Sequence, residues 1–311
     1  MAQEVVSTKK IRKYKPWQNV LTVIFAVLSL AWIAPIIVVI INACKNNAYI
    51  FANPFGLSTQ SIFKAGFTKW KEQLPMATIN RTKGEGMLLT NIRNAIEQTD
   101  FWHAFIYSLF ITVVSVALIV LCCSMCAYFI TRVKTGFTKF FYVLCLFSMI
   151  VPFQMVMFTL SKFSNMLHLS TPWGIVIVYL GFGAGLSVFM YTGFVKSMPI
   201  DIEEAAMIDG CTPLQTFFQV VFPIMKPTTI TIAILQAMWI WNDYLLPSLV
   251  LNINTYKTIP IAIQYLRQSH GVINWGAMMA ALLLAILPIV VFYIAAQKYI
   301  IQGVMAGAVK G

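Results

Sequence analysis

The chain has 311 residues and only ten acids, and the groups able to ionise, bond or dock at useful spacing gather in two places. The first is Glu204-Ala205-Ala206-Met207-Ile208-Asp209-Gly210, with flanks from Met198 to Pro227; Asp201, Glu203, Glu204 and Asp209 stand there with no base between Pro199 and Gln219. The second is Asp243, in Trp241-Asn242-Asp243-Tyr244-Leu245-Leu246-Pro247. Neither place is equipped to make or break covalent bonds. The chain has no Gly-x-x-x-x-Gly-Lys-[Ser/Thr] loop for phosphates, no cluster at metal-ligand spacing and no nucleophile with a base beside it. Its six cysteines, Cys44, Cys122, Cys123, Cys126, Cys145 and Cys211, share no metal spacing with the three histidines. Cys122, Cys123 and Cys126 lie in an apolar run and read as small packing residues. The expectation is a non-enzyme with no metal, no cofactor of its own and no disulfide.

What the first place offers is a surface. Pro199 suits the first position of a helix, and Asp201, Glu203 and Glu204 put negative charge at its positive dipole end. Gly210 fits the position after the helix, where a left-handed backbone is cheap only without a side chain. Thr212-Pro213-Leu214-Gln215 restarts the chain with the pattern of a capping box. Ala205 and Ala206 leave a thin face for close approach, Glu203 and Glu204 offer charge, and Ile202, Met207 and Ile208 offer apolar contact. That composition suits a helix docked in a partner's groove, and equally a helix lying on lipid headgroups. Four acids and no base argue against attraction to anionic lipid.

The elements that must carry these two places are membrane spans. The chain is 59% hydrophobic and 10% charged, with mean hydropathy +0.78, whereas a soluble domain is about 25% charged. Six apolar runs, Val20 to Ala43, Ala104 to Ile130, Phe140 to Leu160, Trp173 to Val195, Pro227 to Leu251 and Trp275 to Gln297, each reach the roughly 20 residues that cross a bilayer. Val20 to Ala43 is too long for the core of a cleaved signal peptide. Six spans put both ends on one side. Lys9, Lys10, Arg12, Lys13 and Lys15 precede the first run, Arg132, Lys134 and Lys139 follow the second, and Lys298 and Lys310 follow the last, so both termini and Glu204 are expected in the cytoplasm. The net charge of +12 orients the spans and is not a nucleic-acid surface.

The expected organisation is a basic N-terminus at 1–19, a six-span transmembrane domain at 20–300 and a small, flexible tail at 301–311. Within the domain, residues 44–101 form an extracellular loop and 197–225 a cytoplasmic region. Short helices are expected at Trp70 to Gln73 and Leu88 to Gln98, and turns at Asn53-Pro54, Pro75 and Lys83-Gly84-Glu85-Gly86. Gly181 and Gly185 form a small-residue pair for close helix packing. Pro152 kinks the third span beside Gln154, which either lines an interior path or hydrogen-bonds to another helix. Asp243 lies 16 residues beyond Pro227, about 24 Å along a helix, in the outer part of the fifth span. It suits a gate or the cap of a re-entrant turn more than direct substrate contact, and Pro247 should loosen or end the helix. Trp239, Trp241 and Tyr244 are candidates for stacking on a sugar or for anchoring at the membrane surface.

Glu204-Ala205-Ala206, three residues, Gly210, nine residues and Val220-x-Phe222-Pro223 together resemble the cytoplasmic coupling motif of the membrane subunits of ABC importers. Val220 and Phe222 stand where that family usually has Ile and Leu. Val151-Pro152-Phe153-Gln154, the stretch Trp241 to Pro247 and the ending Gln302 to Gly311 are similar to the carbohydrate branch, maltose type, in the family's order from about Ala104 onward. The resemblance implies an all-α membrane protein with a cytoplasmic coupling helix, set in the plasma membrane of a prokaryote. It implies a second homologous permease subunit, two ATPase subunits that hydrolyse ATP with Mg, and an extracytoplasmic sugar-binding protein. Glu203, Glu204, Ala205, Ala206, Asp209, Gly210 and Pro223 would be the ATPase-coupling residues; Gln154, Trp239, Trp241, Asn242, Asp243 and Tyr244 would be the substrate-pathway residues. An ABC importer of another solute shares the coupling motif. An ion-driven carrier is a different class, poorly served by one acid in the outer third of a span. A membrane assembly or receptor protein without flux is a third.

Overall fold

The computed structural model describes residues 16–56, 87–266 and 273–308, and every secondary-structure element among them is a helix. The expectations for Lys9 to Lys15, Trp70 to Gln73, Pro75, Lys83 to Gly86 and Lys310 lie outside the described residues. The chain divides into two units between Asn91 and Ile92.

The first unit holds α1 (Pro16–Ala43), α2 (Asn47–Ala52) and the start of α3 (Met87–Thr99). Helix α1 is apolar and mostly exposed from Trp17 to Ile40, as a lipid-facing helix would be. Polar bonds fix the chain as it leaves α1. The Lys45 ammonium is buried and donates to the Asn53 carbonyl at 2.7 Å and to Asn42 Oδ1 at 3.1 Å. Burial lowers its pKa from the ordinary lysine value. The Asn91 amide reaches back to the carbonyls of Ala43 and Lys45, each at 2.8 Å. Helix α3 agrees with the short helix expected at Leu88 to Gln98.

The second unit is organised on α4 (Phe101–Arg132) and α7 (Pro172–Ser197), which pack along much of their lengths. Around them lie α5 (Gly136–Ile150), α6 (Phe153–Met166), α8 (Asp201–Ile208), α9 (Pro213–Ile224), α10 (Lys226–Asn242), α11 (Leu245–Val250), α12 (Ile259–Gln264) and α13 (Trp275–Ala308). The core runs from Ile111, Ile119 and Cys123 of α4 through Tyr179, Val188 and Tyr191 of α7 to Ile232 and Ile240 of α10. A polar tie crosses it, because buried Gln236 donates to the Gly183 carbonyl at 3.2 Å and to Ser187 Oγ at 3.1 Å.

Among the described residues four helices are long and apolar enough to cross a bilayer, and the number rises to six if each of two bent pairs is one span. The third run, expected as one span from Phe140 to Leu160 kinked at Pro152, is bent so far there that it forms two helices. Helices α5 and α6 meet at 107° across Val151 and Pro152. Pro152 has no N–H to continue α5, and its ring holds Val151 extended, at φ −74° and ψ 116°. The fifth run, expected from Pro227 to Leu251, is preceded by a bend and is one helix only as far as Asn242. Helix α9 joins α10 at 75°, and its residues Thr216–Val221 widen into a π turn. Pro223 cannot donate to the Gln219 carbonyl, nor Pro227 to that of Pro223, so the α pattern fails twice within one turn. At the other end α10 stops at Asn242, before Pro247, which lies inside α11. The tail also differs: Gln302 to Ala308 continues α13 as helix, where a flexible end was expected.

The glycine pair of α7 is only half used. A methyl group on Gly185 would lie 2.6 Å from Met149 Cγ and Ser148 Oγ and 2.8 Å from the Cys145 carbonyl oxygen, whereas Gly181 has nothing within 4 Å. Gly185→Ala should therefore destabilise by about 1–3 kcal/mol through overpacking of α5 on α7. Gly181→Ala should raise stability slightly, because alanine is the better helix former. Thermal unfolding of the two variants in detergent checks both signs.

Candidate functional site

Helix α8 is built by its ends. Met198 ends α7 in an extended conformation, φ −86° and ψ 127°, as the residue before a proline must. Pro199 thus closes α7 and does not open α8, which starts two residues later at Asp201. Asp201, Glu203 and Glu204 occupy its first turn. At the other end Gly210 adopts φ +87°, the Gly210 N–H donates to the Met207 carbonyl at 3.1 Å, and the Cys211 N–H donates to the Ala206 carbonyl at 3.0 Å. These two bonds and the left-handed glycine are a Schellman stop. The chain restarts at the expected box: the Thr212 N–H donates to Gln215 Oε1 at 2.8 Å and the Gln215 N–H to Thr212 Oγ1 at 3.4 Å.

The two faces of α8 differ from the expected division. Glu203 is 3% exposed and does not offer its charge outward. Arg132, the last residue of α4, donates from Nε to Glu203 Oε1 at 2.8 Å and closes an ion pair through its Nη2. The Tyr128 hydroxyl donates to Glu203 Oε2 at 2.9 Å, and Arg132 Nη2 also reaches the Met198 carbonyl at 3.3 Å. Ala206 is buried beside Glu203, so only Ala205 leaves a thin outer face. Glu204, Asp209, Gly210 and Pro223 are exposed, as are Ile202, Met207, Ile208 and Leu214, with Ile208 at 86%. The surface that remains is an apolar ridge edged by acids.

Asp243 caps α11. Its Oδ1 accepts from the N–H groups of Leu245 at 3.0 Å and Leu246 at 3.3 Å, and its Oδ2 accepts from the Tyr179 hydroxyl at 3.1 Å. The carboxylate thereby joins the start of α11 to α7. The far end of α11 is tied to α6, because Ser161 Oγ donates to the Leu249 carbonyl at 2.6 Å. Asp243→Ala should strand these donors and cost about 1–3 kcal/mol. Asp243→Asn keeps the Oδ1 acceptor and should cost less, and thermal melts of the two variants rank them.

The other pathway candidates are not one cluster. Trp241 is buried, edge-on to Phe105 with ring centres 5.8 Å apart, and its Nε1 donates to the Ala285 carbonyl at 3.4 Å, which holds it in the packing between helices. Trp239 and Tyr244 are partly exposed, and Asn242 spends its amide on the Met238 carbonyl at 2.7 Å. Gln154 is exposed on α6 and has no hydrogen-bond partner among the described residues, so the structure does not make it an interhelical tie. Sequence reasoning missed Arg132, Tyr128 and Tyr179. Arg132 was visible only as a basic flank, and a tyrosine within an apolar run gives no signal.

A family model described as binding-protein-dependent transport system inner membrane component matches residues 124–305, which includes α8, its glycine stop and the capped break at Asp243. The chain belongs to this family of transport components. It is 36% identical over 300 residues to a probable starch degradation products transport system permease protein, AmyC, of Thermoanaerobacterium thermosulfurigenes, covering 96% of this chain and all of the relative. It is 35% identical over 227 residues to the melibiose/raffinose/stachyose import permease protein MelC of Bacillus subtilis (strain 168), covering 71% of this chain and 80% of that one. A bacterial ABC transporter involved in the import of the acidic polysaccharide alginate has a chain of the same fold, with TM-score 0.70 at 19% identity, over 92% of this permease and 98% of that chain. The permease is thus a multi-pass inner-membrane component and an ABC-importer fold.

Proposed function

We propose that this permease is a subunit of an ATP-driven carbohydrate importer, forming half of the translocation pathway and coupling it to a separate ATPase through α8. The observation that carries the reading is the 36% identity along the whole length of a relative named for starch degradation products. Counting each bent pair as one crossing makes six spans, with both termini and residues 197–225 in the cytoplasm and residues 44–101 outside. A second homologous permease subunit completes the pore, two ATPase subunits hydrolyse ATP with Mg against the exposed side of α8, and an extracytoplasmic binding protein presents the sugar. Glu204, Ala205, Asp209 and Gly210 belong to the surface or stop of that helix, and the exposed Ile208 and Met207 supply its apolar anchors. Near the outer end, Asp243 shapes a gate by holding α11.

The test is reconstitution. The permease is purified with its companion subunits, placed in vesicles with ATP and Mg on the ATPase side, and offered receptor loaded with maltodextrin, with an amino acid and a phosphate receptor as controls. ATP-dependent maltodextrin uptake is expected. Uptake driven by an ion gradient without ATP, or ATP-driven uptake of a control solute alone, would overturn the reading.

A further inference from the structure

Motion at α8 has two routes into the bundle. The covalent route leaves through the Gly210 turn, passes the π turn at Thr216–Val221 and the 75° bend before Lys226, and reaches Asp243 only at the end of α10. Each of these irregular points can absorb a displacement by changing its own dihedrals. The second route is non-covalent. Glu203 is held by Arg132 and Tyr128, one helical turn apart near the end of α4, and the paired side chains of Arg132 and Glu203 are only 18% and 4% exposed. A carboxylate so enclosed is costly to part from its guanidinium, so the contact is expected to stay closed while the helices move.

Helix α4 is suited to carry what that contact receives. It has 32 residues, about 48 Å of helix, with neither proline nor glycine, whereas α1 contains Pro35, α13 contains Pro288 and α7 contains several glycines. Its opposite end meets the outer break directly. Phe105 packs edge-on to Trp241, two residues before Asp243, and Ser108 Oγ accepts from the Ile259 N–H at 2.8 Å at the start of α12. We propose that Arg132 is a positioning residue for energy coupling. Closed on Glu203, it makes α8 and α4 one rigid piece, and α4 delivers the displacement of α8 to the Trp241–Asp243 break.

This inference rests on α8 being the helix that meets the ATPase, and its experiment separates the two. In vesicles holding the fully assembled importer, ATP hydrolysed and maltodextrin imported are measured together. Arg132→Ala is expected to assemble and hydrolyse ATP, with roughly tenfold more ATP spent per sugar imported. Arg132→Lys, which keeps the charge but not the two-nitrogen fork, should fall between this variant and wild type. A purely structural role would lower hydrolysis and uptake in proportion, and an unchanged ratio would overturn the proposal. Should Arg132→Ala fail to assemble, Tyr128→Phe removes only a hydroxyl; a raised ratio supports the proposal and an unchanged ratio overturns it. If the wild-type assembly itself shows no ATP-driven uptake, the coupling reading fails and takes this inference with it.

Discussion

Gly210→Val should reduce ATP-driven uptake by at least roughly tenfold while leaving the sugar's binding to the external receptor intact. Gly210 sits at φ +87°, where a residue with a Cβ costs about 1–2 kcal/mol, and a β-branched one more. A Cβ at this position meets nothing within 4 Å, so the loss comes from the backbone conformation. What fails is the stop itself: the N–H bonds of Gly210 and Cys211 to Met207 and Ala206 require the left-handed turn. Without them α8 loses its fixed angle to α9. Gly210→Asn is the control, because asparagine tolerates this backbone region, and it should retain most of the activity. Uptake by the valine variant at the wild-type rate would show that the glycine stop is not needed to hold α8 in its working position.

Ile208→Asp should separate assembly from folding. Ile208 is 86% exposed in the isolated chain, so the change should move its thermal stability by no more than about 0.5 kcal/mol. Against a partner groove the same residue is an apolar anchor, and a buried, unpaired carboxylate there should cost at least about 2 kcal/mol of binding, near a thirtyfold loss of affinity for the ATPase subunits. Co-purification with the ATPase, measured beside thermal unfolding of the permease alone, reads both. A stable variant that binds the ATPase as tightly as wild type would move the docking surface elsewhere.

Both predictions concern features that are legible in local sequence. The glycine stop, the box of Thr212 and Gln215 and the helix at Met87–Thr99 each follow from residues a few positions apart, and the structure places them as read. Side-chain direction was not legible in the same way. Glu203 and Glu204 are neighbours of one type, yet one is buried and one exposed, and what decides it is Arg132, 71 residues earlier. Asp243 likewise depends on Tyr179, 64 residues away. The bends were half legible. Pro152, Pro223 and Pro227 mark where hydrogen bonds must fail, but hydropathy averages over a break and cannot tell a span from two helices at 107°. At the break beside Asp243 the proline signal misled, since Pro247 fits within α11 and Asp243 ends the preceding helix.

The claim beneath these predictions is that α8 is the part of this permease that another protein moves. A photo-crosslinking side chain placed at Ile208, in the assembled importer within its membrane, tests that most directly. Adducts identified by mass spectrometry should join position 208 to an ATPase subunit, and the yield should change when ATP closes the pair. Adducts to lipid alone, or to the external binding protein, would contradict the account.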